Sequence, residues 1–235
     1  MIAALILALG VASGCYFISL GFSKSNLVNK VEVRGLAERE VKADVALWPL
    51  KVVATGDDLA SLQTKLENDS KTVFDFLIGQ GLKEEEVTRG RMEVTDLLAS
   101  NYRNENVSKN RFIVYANIMV RSNRAELVQT VSNSIGNVIR SGVVFTQDSG
   151  NSPSPYFIFT KLNDIKPAML ADSTRNARAA AEQFARDSGE PLGRMIRAEQ
   201  GIFSILPADD TGEPETKQLM KKIRVVSTVV YALAH

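Results

Sequence analysis

Along the chain the spacing of apolar residues changes period several times, and each change marks an element. Residues 30–34 alternate as Lys-Val-Glu-Val-Arg, and after Gly35-Leu36-Ala37 a second extended run covers residues 38–54. Alternation of period two, interrupted by a glycine, predicts two strands joined as a hairpin. Pro49, inside the second run, has no amide hydrogen to give to a ladder, which predicts an edge position or a bulge. Its neighbour Trp48 is read as core. From Asp57 the period lengthens: Leu59, Leu62, Leu66, Val73 and Leu77 form a helical stripe widened by Phe74 and Ile78. Asp57 or Asp58 caps its start, and Gly79 and Gly81 stop it.

A strand over residues 91–98, a polar loop over 100–110 and a strand over 111–121 follow, the last with Phe112, Val114, Ala116, Ile118 and Val120 on one face. Leu127, Val128, Val131, Ile135, Val138 and Ile139 make a second amphipathic helix, opening at Ala125 and closed by Gly142. After an extended stretch at 143–147 and a turn-rich stretch at 148–155 comes a strand over 156–161. The third helix opens at Asn163 or Asp164, takes Pro167 in its first turn and runs to Gly189, with Ile165, Met169, Ala177, Ala180, Ala181 and Phe184 on its apolar side. So many alanines predict close packing of that helix on a sheet. Strands over 195–206 and 219–234 end the chain. The order ββαββαββαββ predicts an α+β fold: a largely antiparallel sheet with three helices packed on one face.

Ahead of this pattern, residues 2–22 carry no charge. As a helix they would extend about 31 Å, the thickness of a bilayer's hydrocarbon core. Residues 1–23 are therefore expected to be a membrane anchor or uncleaved signal segment, single-pass, with residues 24–235 as the folded domain. A cleaved signal peptide and a lipoprotein processed at Ala12-Ser13-Gly14-Cys15 are the competing readings. Lys24 and Lys30 follow the segment and nothing basic precedes it, so the positive-inside rule taken alone leaves the domain in the cytoplasm.

Charge and rare residues narrow the chemistry. Lys plus Arg number 28 against 27 Asp plus Glu, a balance that recommends no nucleic acid or acidic polymer as partner. The one cysteine, Cys15, lies in the apolar segment and the one histidine, His235, is the last residue, which disfavours a disulfide, a His or Cys metal site and a Ser-His or Cys-His nucleophile. No nucleophile elbow, phosphate-binding loop, dinucleotide fingerprint or zinc motif is present. No catalytic, cofactor-binding or metal-binding residue is assigned, and no cofactor is expected. Among the acids, Glu84-Glu85-Glu86 and Asp209-Asp210 read as solvated charge runs, and Asp44 as a hydrogen-bonding residue at a strand start. Arg175, Arg178 and Arg186 share one helix, where an ion pair from Arg178 to Glu182 accounts for them without a ligand. Tyr102, Tyr115, Tyr156 and Phe157 are scattered and form no stacking platform.

The stretch from Val31-Glu32-Val33-Arg34-Gly35 through Glu38-Arg39-Glu40-Val41 to Asp44 resembles the opening signature of the SIMPL-domain family, a V-x-V-x-G strand, an E-x-V arm and an Asp before the second long strand. Asn176-Ala177-Arg178, Ala181-Glu182-Gln183-Phe184-Ala185, Gly189, Leu192-Gly193 and the ending at residues 224–231 fit as well, so the likeness covers roughly residues 30–234. The resemblance implies a bacterial protein exposed in the periplasm or outside, an α+β fold, self-association and no established enzymatic activity. On this reading the chain is a non-enzymatic cell-envelope protein. It is membrane-bound through residues 2–22 and works as a homo-oligomer or by docking a protein partner, with a role in stress tolerance. A binder of a small apolar molecule or lipid and a carboxylate-dependent hydrolase are the alternatives.

Overall fold

The computed structural model describes residues 29–99, 110–146 and 153–233. The expected membrane segment at 2–22, with Cys15, lies outside the described residues, as do Tyr102 and His235. Among the described residues no helix is long and apolar enough to cross a membrane.

The elements run β1 (Lys30–Lys42), β2 (Val45–Gly56), α1 (Leu59–Gly79), a 3-10 turn (Glu84–Glu86), β3 (Val87–Asp96), β4 (Phe112–Ser122), α2 (Ala125–Asn133), α3 (Gly136–Arg140), β5 (Tyr156–Ile158), α4 (Leu162–Ser188), β6 (Leu192–Gln200), β7 (Ser204–Pro207), a 3-10 turn (Glu215–Lys217) and β8 (Met220–Leu233). The fold is α+β with antiparallel pairing, as the periodicity predicts. It differs in having two four-stranded sheets in place of one, β1-β8-β6 with β7 also on β8, and β3-β4-β2-β5.

The division begins at the expected hairpin. β1 runs straight through Gly35-Leu36-Ala37, and the chain breaks later, at Ala43-Asp44. Gly35 is there for closeness, not for a turn: a Cβ on it would lie 1.9 Å from Ser173 O and 2.4 Å from Ala177 N, both backbone atoms of α4. At the real break the Asp44 carboxylate accepts from Thr160 N at 2.7 Å and Thr160 Oγ1 at 2.6 Å. β1 and β2 then enter different sheets.

The chain forms two compact units. One holds residues 29–38, 166–204 and 224–233 of those described. In it Ala177 and Ala181 of α4 pack against Val33, Val229 and Tyr231. Ser173 Oγ and Ser227 Oγ share a buried hydrogen bond of 2.6 Å, and Asn176 Nδ2 donates to Leu36 O at 2.8 Å. The alanine stripe thus does what close packing requires. The long strand expected over 195–206 is two, β6 and β7, parted near Gly201, whose amide donates to Val226 O at 2.8 Å. β8 is an inner strand, so its alternating apolar residues are explained by burial.

The other unit holds residues 39–99, 110–146, 153–165 and 205–223 of those described. Trp48, Leu50, Val52 and Ala54 of β2 stand opposite Val120, Ile118, Ala116 and Val114 of β4, and all eight are buried. Leu62, Leu66, Val73 and Leu77 of α1 cover this face together with Val128 and Val131 of α2 and Val138 of α3. The expected second helix is broken at Ser134-Ile135. Asn133, Ser134 and Gly136 are weak helix formers there, and Ser132 Oγ donates back to Gln129 O at 2.8 Å. Of the strand expected at 143–147 one bridge is described, Val52 to Phe145.

Candidate functional site

With one face of the β3-β4-β2-β5 sheet filled by helices, chemistry on this unit falls to the other face. Period two puts Pro49 and Lys51 of β2 there, opposite Met119 and Asn117 of β4, and Thr88 of β3 continues the row beyond Met119. The pairing of β2 on its side away from β4 is interrupted. β5 pairs with Val45–Leu47, then Thr146 N donates to Lys51 O at 2.9 Å and Val53 N to Val144 O at 2.9 Å. Pro49 occupies the interval, on an inner strand in unbroken register with β4, so the expected edge position or bulge is instead a local gap in the pairing on its other side. A residue without an amide hydrogen is tolerated where no neighbour asks for one.

The interval opens into a cleft of about 480 Å3 lined by Pro49, Lys51, Asn117, Met119, Tyr156 and Lys217, with Thr88, Thr146, Pro153 and Ser154 at its sides. Its walls are fixed from the core. The Trp48 indole N–H donates to Pro153 O at 2.8 Å. Tyr156 stands opposite Leu47 and its neighbour Phe157 is buried, so the Tyr156 ring takes the open face. The two cations differ in surroundings. Lys51 Nζ lies 3.5 Å from a Glu93 oxygen and 4.4 Å from the centre of the Tyr115 ring. Lys217 Nζ donates to Ser154 O at 3.1 Å and Ser154 Oγ at 2.9 Å, and lies 3.7 Å from the centre of the Tyr156 ring.

The residues singled out from sequence take other places. Trp48 is fully buried, and Glu84, Glu85, Asp209 and Asp210 are exposed. Glu86 departs from the solvated run expected of it: its side chain is 13% exposed and paired to Arg124. It accepts from Ser122 Oγ at 2.6 Å, Lys83 N at 2.8 Å and Arg124 Nε at 3.3 Å. Burial pushes its carboxyl up, but those hydrogen bonds and the Arg124 charge outweigh it and hold the group at about 2, against an ordinary 4.5. Asp44 is likewise held below the ordinary carboxylate range, burial opposing and the two Thr160 hydrogen bonds prevailing. Neither acid lines the cleft. Arg178 pairs with Glu182 at 2.9 Å as the spacing predicts, Arg175 with Asp172 at 3.0 Å, and Arg186 donates to Gln183 at 2.6 Å.

Sequence reasoning missed most of the cleft. Pro49 marks the local break, whereas in the sequence Tyr156 reads as a scattered aromatic and Lys217 carries no motif. Lys221 was missed too: in phase with Ile223 and Val225, it is 1% exposed and pairs with Glu215 at 2.8 Å. That pair steadies the 3-10 turn from which Lys217 projects. Among the described residues no cluster of three or more His, Cys, Asp or Glu is placed to hold a metal ion.

A family model described as SIMPL, protein of unknown function (DUF541), matches residues 31–230. No curated protein matches the chain.

Proposed function

Since the chain belongs to the SIMPL family, whose description assigns no activity, we propose from the geometry that it is a non-enzymatic binding protein for a small, largely apolar molecule, working outside the cytoplasmic membrane with residues 2–22 as its tether. The cleft at Pro49 carries the reading. It has the volume of a small-molecule site, an apolar floor of Pro49, Met119 and Tyr156, and a few polar groups at fixed positions around it. Its walls are tied to a packed core, so little ordering is needed on binding. What stands in the cleft supports binding more than catalysis: two lysines, neutral hydroxyls and an amide, and neither of the two acids described above. The test is ligand-observed NMR with 4-phenylbutan-1-ol, a neutral probe, on the full chain and on Met119→Asp. Saturable binding lost in the variant supports the reading, and equal binding to both refutes it.

A second reading is the homo-oligomer expected from sequence. It is favoured by the outer strand β6, which exposes Met195 and Ile196, and by Ile202 just beyond it, 89% exposed. β6 is also interrupted twice in its register with β8, a feature that blunts edge-to-edge pairing. Sedimentation across a hundredfold dilution tests it: a monomer throughout excludes self-association, and a concentration-dependent shift abolished by Ile196→Lys supports it.

A further inference from the structure

We propose that the ligand of the cleft is a small free amphiphilic acid, its apolar body on Pro49, Met119 and Tyr156 and its anionic group on Lys217. This rests on the cleft being the binding site and adds the charge of what it binds.

The argument starts from the mismatch between the two lysines. Lys51 has Glu93 as counter-charge at 3.5 Å. Lys217 is half-buried, yet among the described ion pairs it has none, and its partners are the neutral oxygens of Ser154 and the face of Tyr156. Glu213 lines a neighbouring hollow with Lys217 without forming an ion pair with it. A partly desolvated ammonium held by neutral groups is most favourable when an anion completes its surroundings. The neighbouring hydroxyl helps. Ser154 Oγ already accepts from Lys217, which leaves its own O–H to donate to the same anion.

The group is also held in place before any ligand arrives. Lys217 ends the 3-10 turn Glu215–Lys217, whose first residue is tied by its side chain to buried Lys221. Gln218, the next residue, donates to Asp209 O at 2.8 Å and Thr211 Oγ1 at 3.1 Å, closing the loop behind the turn. A cation fixed in this way binds an anion without paying again for side-chain ordering. Pro153, Ser154 and Tyr156 stand beside the floor and give the recess the dimensions of a small molecule.

The probes are 4-phenylbutyrate and 4-phenylbutan-1-ol, which share an apolar body and differ in charge, measured by equilibrium dialysis on the full chain. The acid is expected to bind about tenfold more tightly than the alcohol at low salt, the effect of one charge-assisted contact. That preference should shrink as salt is raised. Lys217→Gln should weaken the acid far more than the alcohol and so remove the preference, Lys217→Arg should keep most of it, and Lys65→Gln, on α1 and outside the cleft, should leave both affinities intact. Equal binding of acid and alcohol to the natural chain overturns the acid assignment while the cleft reading stands. Loss of both probes in Lys217→Gln with the circular dichroism unchanged also overturns it, by assigning Lys217 to the cleft's shape. Binding of neither probe to the natural chain overturns both readings.

Discussion

Replacing Gly35 with alanine adds one methyl group where the structure has no room. The new Cβ would stand 1.9 Å from Ser173 O, 2.4 Å from Ala177 N and 2.8 Å from Ala177 Cβ, where ordinary contacts begin near about 3.5 Å. Two of the three atoms are helix backbone, so no rotamer change relieves the clash. Either β1 or α4 must move by about 1.5 Å, the shortfall against that ordinary contact. Such a shift loosens Ala177 and Ala181 from Val33 and Tyr231 and stretches the Ser173–Ser227 and Asn176–Leu36 hydrogen bonds. Overpacking costs about 1–3 kcal/mol and each weakened hydrogen bond about 1 kcal/mol, so Gly35→Ala should destabilise by about 3–5 kcal/mol. With an m-value of about 2 kcal/mol/M in urea, the midpoint falls by about 2 M. Far-UV circular dichroism, which follows the 27-residue α4, is the assay. A midpoint within about 0.5 M of the natural chain's, a loss near 1 kcal/mol, would show that the helix does not lie against β1 as described.

Glu86→Gln tests the most strongly perturbed carboxylate among the described residues. Its folded value near 2 lies below the ordinary 4.5, so its stabilisation is complete above about pH 4.5 and is lost as pH falls through 2. The gap corresponds to at most about 3 kcal/mol, and about 2 kcal/mol once the solvation of Arg124, 43% exposed, is allowed for. The difference in unfolding free energy between the natural chain and the variant should therefore close between pH 5 and pH 2, about the span of the two values; a pH-independent difference contradicts the pairing. At the pair of buried Lys221 with partly exposed Glu215, Glu215→Ala leaves the Lys221 ammonium only the Glu215 backbone carbonyl and should cost about 2 kcal/mol, whereas Lys221→Met, which removes the buried charge, should cost about 1 kcal/mol or less; equal losses in urea melts would count against that asymmetry. A reporter active only outside the cytoplasm, fused after His235, should be active, and activity of a cytoplasmic reporter in its place would reverse the proposed orientation.

What sequence reveals here is what depends on near neighbours. The face of β4 built from Val114, Ala116, Ile118 and Val120 and the α1 stripe of Leu62, Leu66, Val73 and Leu77 follow from period alone, because burial on one side leaves its mark every second or every third to fourth residue. Gly35 defeats local reading: a glycine in an alternating run looks like a turn, and only the approach of Ser173 and Ala177 from far along the chain explains it. Missing it also hid the second sheet, since a hairpin at Gly35 would join β1 to β2. Glu86 shows the same limit, its acidic neighbours being solvated while Ser122 arrives from the end of β4 and Arg124 from just beyond it. Lys221 was legible in part, for its parity with Ile223 and Val225 pointed inward. The cleft was announced by Pro49 alone, because Tyr156 and Lys217 reach it from β5 and from a 3-10 turn whose positions no periodicity encodes.

If the open sheet face at Pro49 binds a small apolar molecule, the methionines report it residue by residue. The chain has six, of which Met119 lies in the cleft, Met169 is buried in the other unit, and Met195 lies on β6. With methyl-labelled methionine in the full chain, titration with 4-phenylbutan-1-ol should shift the Met119 methyl resonance saturably and leave those of Met169 and Met195 in place. A Met119 signal that stays fixed throughout the titration, or shifts only as far as every other methionine does, would contradict it.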